Sequence, residues 1–310
     1  MRHSEIAGSH VAQFSIHHSA VVGRALMRGE FVDIGGVRVY CYAFGSRGVG
    51  EPIVLIHGCF LSSHLWQDVL PRLPKGHRVL VLDLLGHGRS DPPGRASMTV
   101  AAHAARLAQL LDVMGVPSAS LVGHGAGAAV AARVAQQFPA RVAHLALVNP
   151  SLLGATPQDS VVSARIDRVA ALVPLWRRLS AGWVSSALHS ALLPSYAHRD
   201  NGARSLDLYL RTFRTREGRD AACAQLQALR ASRSDSAAAL SPGAIACPVT
   251  LAIGSLDRWL TNARIERLVT ALNAATSDHL TVERMSGVAH VAPEEAPDRL
   301  GTLVAELLAR

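Results

Sequence analysis

The sequence predicts an α/β fold: a mostly parallel sheet covered by helices on both faces, with an inserted block of helices. Two observations carry that expectation. Strand-like runs, most of them wholly apolar, recur at 52–56, 78–83, 119–122, 145–148, 248–253 and 279–283 with helical segments between them. Apolar strands alternating with helices belong to parallel sheets buried on both faces. Between Asn149-Pro150 and about Ser241 no strand signal occurs, and apolar residues instead repeat at helical spacing. At 310 residues and 49% hydrophobic content the chain can bury a large core. The expected organisation is a helical extension over 1–30, a core over 31–150 and 242–310, and a helical cap over 151–241.

The elements follow in order. Val11 to Met27 has amphipathic spacing, as of an extra helix packed on the domain or on a second copy of the chain in a homodimer. Phe31 to Phe44 reads as a hairpin turning at Gly35-Gly36. The apolar strand Pro52 to Ile56 ends in His57-Gly58, a helical segment is expected near 65–73, and the strand Arg78 to Asp83 precedes a helix over Val100 to Met114. In the helical block, Val162, Ile166, Val169, Ala170, Val173 and Trp176 share one face, and Trp183, Ala187, Leu188 and Ala191 another. The core resumes with the two last strands and closes with a helix from Pro293 to Ala309.

Composition narrows the function classes. The net charge is +8, but thirty of the thirty-one basic residues are scattered arginines with no run of four, so no clustered face for nucleic acid is expected. Cys41, Cys59, Cys223 and Cys247 lie far apart without metal-ligand spacing, so neither a metal nor another cofactor is expected, and a reducing, cytoplasmic setting accounts for them. No apolar segment of signal-peptide length opens the chain and no run of about 18 apolar residues occurs, so no membrane partner is expected.

The chemistry centres on Gly123-His124-Gly125-Ala126-Gly127, between the strand ending at Val122 and a small-residue helix beginning near Ala128. A sharp strand-to-helix turn of the form Gly-x-Ser-x-Gly lifts a nucleophile above the sheet edge. Here the central position is Gly125.

Five stretches now stand in order: His57-Gly58-Cys59 followed by Trp66, Asp83 to Asp91, the elbow, Gly254-Ser255-Leu256-Asp257, and His290 to Pro297. From Phe31 to the C-terminus the chain resembles the capped α/β-hydrolase family, which includes esterases, haloperoxidase-like enzymes, epoxide hydrolases and carbon–carbon bond hydrolases. The resemblance implies that His290 is the catalytic base and Asp257 the acid that orients it, and that the backbone N–H groups of Cys59 and Ala126 form an oxyanion hole. His124, Trp176 and Trp183 are expected at the substrate pocket. The Cys59 thiol is a poor substitute nucleophile, because its position serves the family through its amide. The sequence departs from the family at Gly125, which offers no oxygen to attack a substrate.

What remains is a general base, an oxyanion hole and a covered pocket for an apolar small molecule. Those parts suffice for cyclisation, elimination, isomerisation, lyase chemistry or hydrolysis by water directly, as in natural-product metabolism. Two alternatives stay open at the sequence level: a ligand-binding protein that retains the site as a remnant, and a serine hydrolase disabled by a serine-to-glycine substitution.

Overall fold

The computed structural model describes residues 28–45, 50–151, 160–172, 175, 180–237, 240–241, 243–276 and 279–310. The amphipathic segment from Val11 to Met27, Val173 and Trp176 lie outside them.

Eight strands form one sheet: β1 (Arg28–Ile34), β2 (Val37–Phe44), β3 (Gly50–Ile56), β4 (His77–Asp83), β5 (Ala119–His124), β6 (Val142–Val148), β7 (Val249–Gly254) and β8 (Leu280–Met285). Their order is β1-β2-β4-β3-β5-β6-β7-β8; β1–β2 and β2–β4 pair antiparallel and the rest parallel. Every residue of β5 and β7 is buried, as strands covered on both faces must be. Helices α1 (Val100–Val113), α2 (Ala126–Gln137), α7 (Asn262–Thr276), α8 (Ala292–Glu295) and α9 (Pro297–Leu308) belong to the core. The insertion supplies α3 (Val161–Ala171), α4 (Ala181–Leu192), α5 (Arg199–Leu210) and α6 (Arg216–Ala237), with no strand among its described residues. No helix among the described residues is long and apolar enough to cross a membrane.

Four expectations change. β1 begins at Arg28, so 28–30 belong to the sheet and not to a helical extension; Arg28, Gly29 and Glu30 pair with Ala43, Tyr42 and Cys41. The polar Arg-Gly-Glu run hid this, because an edge strand tolerates polar residues. The segment near 65–73 is not an α-helix but two 3-10 turns, Ser63–Trp66 and Leu70–Arg72, with Pro71 unable to donate the bond a continuous helix needs. The closing helix is broken at Ala296, whose non-helical backbone (φ −141°, ψ 54°) precedes Pro297. In the insertion, Val162, Ile166 and Ala170 are buried as predicted, but α4 is turned. Ser180 caps it by accepting from Trp183 N at 3.2 Å, and its inward face carries Val184, Leu188 and Ala191 while Trp183 lies outside.

The strand–turn–helix at the centre depends on absent side chains. A Cβ on Gly123 would run into the backbone of Gly127 and Ala128, and one on Gly127 into the carbonyls of Ile56 and His57. Helix α2 therefore packs backbone to backbone against β3 and β5.

Candidate active site

Gly125 sits at φ 57°, ψ −117°, between β5 and α2, a conformation in which a side chain adds strain and glycine none. The position is roomy, unlike Gly123 and Gly127. A Cβ built there would lie 3.5 Å from His290 Nε2, 3.5 Å from Gly58 Cα and 3.6 Å from Ser151 Oγ, all ordinary contacts. The space beside Gly125 thus opens directly onto an imidazole nitrogen.

Loops after β7 and β8 bring Asp257 and His290 together. His290 Nδ1 lies 2.9 Å from Asp257 Oδ2, and Asp257 Oδ1 accepts from Trp259 N at 2.7 Å. A carboxylate accepting the Nδ1 proton leaves Nε2 bare and pointing at the Gly125 space. Trp259 stacks on the imidazole with ring centroids 5.0 Å apart, and its indole N–H donates to Ser195 Oγ at 2.8 Å. The backbone N–H of His290 donates to the Ser195 carbonyl at 2.9 Å, so the insertion holds the histidine from above.

Sequence reasoning missed the residues that fix this geometry. Asn149, fully buried at the end of β6, donates through Nδ2 to the carbonyls of Ala289 (2.9 Å) and His290 (2.7 Å) and accepts from Gly254 N (2.8 Å). Its φ of +43° aims the amide at both loops. Glu295 accepts from Ala289 N and Ala197 N, each at 2.6 Å, and burial pushes its carboxyl up. The Asn149-Pro150 pair marked only the end of a strand; nothing local in sequence announces such distant partners.

His124 also lines the cavity, but its bond is internal: Nε2 donates to the His290 carbonyl at 2.9 Å. Burial holds its pKa down to about 3, so the ring stays neutral. Cys59 and Ala126 both line the cavity that Gly125 lines. Ala126 opens α2, where the first N–H groups have no intrahelical acceptor. The turn at Cys59 is held by the insertion: Phe60, at φ 61°, donates its N–H to Gln225 Oε1 on α6 at 3.2 Å.

These groups line one cavity between the core and the insertion. Gly125, Ser151, Trp259 and His290 line it together with the apolar Leu192, Leu206 and Leu229 of the insertion. The placement of Trp183 is a correction: it is 41% exposed and does not line the cavity, because α4 packs inward through Val184, Leu188 and Ala191 and leaves Trp183 on its outer face. Trp176 lies outside the described residues. The aromatics that line the cavity are Tyr196 and Trp259, and Trp259 stands two residues after Asp257 in the sequence.

Known proteins bear out this architecture. A family model described as alpha/beta hydrolase fold matches residues 51–297. An uncharacterized protein of Mycobacterium tuberculosis is 40% identical over 126 residues, 41% of this chain and 36% of that protein. A haloalkane dehalogenase of Mycobacterium marinum is 33% identical over 140 residues, 44% of this chain and 47% of the relative. The chain thus matches less than half the length of these relatives. The crystal structure of wild-type Cfl2 from Burkholderia cenocepacia superposes with a TM-score of 0.76 at 26% identity, covering 91% of this chain and 96% of that one.

Proposed function

Because the chain belongs to the α/β-hydrolase fold family, matched over residues 51–297, we propose that it is an enzyme of that family working by general-base catalysis without a covalent intermediate, on an apolar small molecule bearing a carbonyl group. The observation that supports this best is the pairing of His290 Nδ1 with Asp257 at 2.9 Å while Nε2 faces the open space at Gly125. A remnant site has no need of that alignment. Asp257 stabilises the imidazolium as Nε2 takes a proton from water, from a substrate hydroxyl or from an acidic carbon. The N–H groups of Cys59 and Ala126 are assigned to the negative oxygen that then develops. The insertion over 151–241 acts as the cap that excludes water, and the apolar walls contributed by Leu192, Leu206 and Leu229 set the preference for an apolar ligand.

The test compares the wild type with His290→Ala and Gly125→Ser on a panel of apolar esters and lactones. His290→Ala is expected to lower turnover by about 10²–10⁴-fold, the usual worth of a positioned base. Gly125→Ser is expected to add a stoichiometric burst of nitrophenolate from 4-nitrophenyl butyrate, since a Cβ fits there beside Nε2. A folded His290→Ala protein with full turnover overturns the assignment. Ligands that bind unchanged to both wild type and His290→Ala would instead identify a binding protein.

A further inference from the structure

The space vacated at Gly125 has a second polar wall that the reading above does not use. Ser151 is buried, three residues beyond the end of β6, with its hydroxyl 3.6 Å from where a Cβ on Gly125 would lie and His290 Nε2 at 3.5 Å from the same point. Its hydroxyl makes no hydrogen bond to a described residue and faces the cavity. Its backbone, by contrast, is clamped. Ser151 N donates to the Gly125 carbonyl at 3.3 Å, and the Ser151 carbonyl accepts from Arg264 Nη2. Arg264 is itself buried and donates through Nη1 to the carbonyl of Trp259 at 2.9 Å, the residue stacked on His290. Ser151 is therefore held in register with both the vacated position and the imidazole, while its hydroxyl is left to bond something else.

We propose that the vacated space is an oxygen site, and that Ser151 Oγ and His290 Nε2 together hold in it the water that attacks an apolar ester or lactone. This rests on the general-base reading. An ordered water needs two to four polar partners and room for one probe sphere, and a missing hydroxymethyl group leaves about that much. His290 Nε2 accepts one proton of the water. The Ser151 hydroxyl donates to one lone pair of the water, which fixes the direction of the other. Ser151 is thus a positioning residue and not a nucleophile. In the reaction the water gives a proton to Nε2 while its oxygen bonds to the carbonyl carbon, and the carbonyl π pair moves onto its own oxygen, facing the Cys59 and Ala126 amides. Collapse of that intermediate breaks the bond to the leaving alkoxide, which takes the proton back from His290.

Crystals of the wild type and of Ser151→Ala, diffracting well enough to show ordered water, test the site. An oxygen within hydrogen-bond distance of both Ser151 Oγ and His290 Nε2 is expected in the wild type and is expected to be lost in Ser151→Ala. An empty wild-type site, or an oxygen bonded to His290 alone, overturns the proposal. Kinetics on 4-nitrophenyl butyrate separate positioning from mere structure: Ser151→Ala should lower kcat about tenfold at unchanged KM. In the Gly125→Ser background the same change should leave the nitrophenolate burst intact, because a side-chain oxygen then makes the attack. A burst reduced as much as kcat would mark Ser151 as structural and sink the idea. Wild-type turnover no faster than that of His290→Ala overturns the general-base reading instead, and the crystals still decide the oxygen site.

Discussion

Asn149 carries no charge and moves no proton, yet its side chain decides where the two dyad loops lie. Its amide joins the carbonyls of Ala289 and His290 to the N–H of Gly254, at the root of the loop that bears Asp257. Replacing it with alanine strands buried polar groups whose desolvation costs about 1–3 kcal/mol each when unpaired. Asn149→Ala is therefore expected to lower the unfolding free energy in urea by about 2–4 kcal/mol. In the Gly125→Ser background it should also slow the nitrophenolate burst, because His290 loses its fixed distance to position 125. An unchanged burst rate would show that Glu295 and His124 hold the histidine without it. Asp83 works in the same way one loop away, accepting from Ser63 N at 2.6 Å and Arg89 N at 2.9 Å.

At the scale of the element, β5–turn–α2 contains three glycines with different reasons to exist. Gly123 and Gly127 are absent side chains at a backbone contact; Gly125 is an absent side chain at an open space. Gly127→Ala must push α2 away from β3 and is expected to cost about 3 kcal/mol or to prevent folding, beyond the usual penalty of overpacking. Gly125→Ala meets no atom closer than 3.5 Å, and only its backbone (φ +57°, ψ −117°) counts against it, about 1–3 kcal/mol. Thermal melts of the two variants measure the contrast, and equal losses would contradict the packing described for α2. The same element explains why the sequence was legible here: small residues in a strand–turn–helix leave a pattern visible without coordinates. Helix α4 was less legible, since Trp183 shares the helical spacing of Leu188 and Ala191, and only packing shows that Val184 and not Trp183 turns inward.

At the scale of the molecule, the insertion and the core are joined through the site. Ser195 bonds to His290 and Trp259, Gln225 to Phe60 N and Gly86 O, and Tyr209 Oη to Glu294 Oε1 at 2.5 Å. Beneath this lie His57, His87 and His103, with successive ring centroids 5.0 and 6.4 Å apart. Burial holds His57 down to about 4 and His87 to about 3, and His103 well below its ordinary 6.5. The folded state keeps these rings neutral, while the unfolded chain protonates them below about pH 6.5, so stability falls as pH drops from there towards the folded values. Glu294 and Glu295, whose carboxyls burial raises, act in the opposite sense and offset part of the loss. His103→Leu isolates one ring: relative to wild type it should gain about 2 kcal/mol on going from pH 7 to pH 5, the free energy of protonating one unfolded histidine. Urea titrations at the two pH values check it, and a shift near zero would mean that His103 is charged in the fold.

The sequence by itself marked the succession of strands along the chain, the helical character of the insertion, the glycine between β5 and α2, and His290 and Asp257 as the candidate pair that the fold brings to 2.9 Å. Each of these is written in local apolar periodicity or in short motifs, which need no knowledge of distant partners. Only the tertiary structure decided that Trp259 and not Trp183 meets the imidazole, that Asn149 ties the two loops, and that Ser151 shares the Gly125 space with His290. Those facts depend on side chains from strands and loops more than a hundred residues apart arriving at one point, and packing fixes that meeting while leaving no periodic trace in the chain.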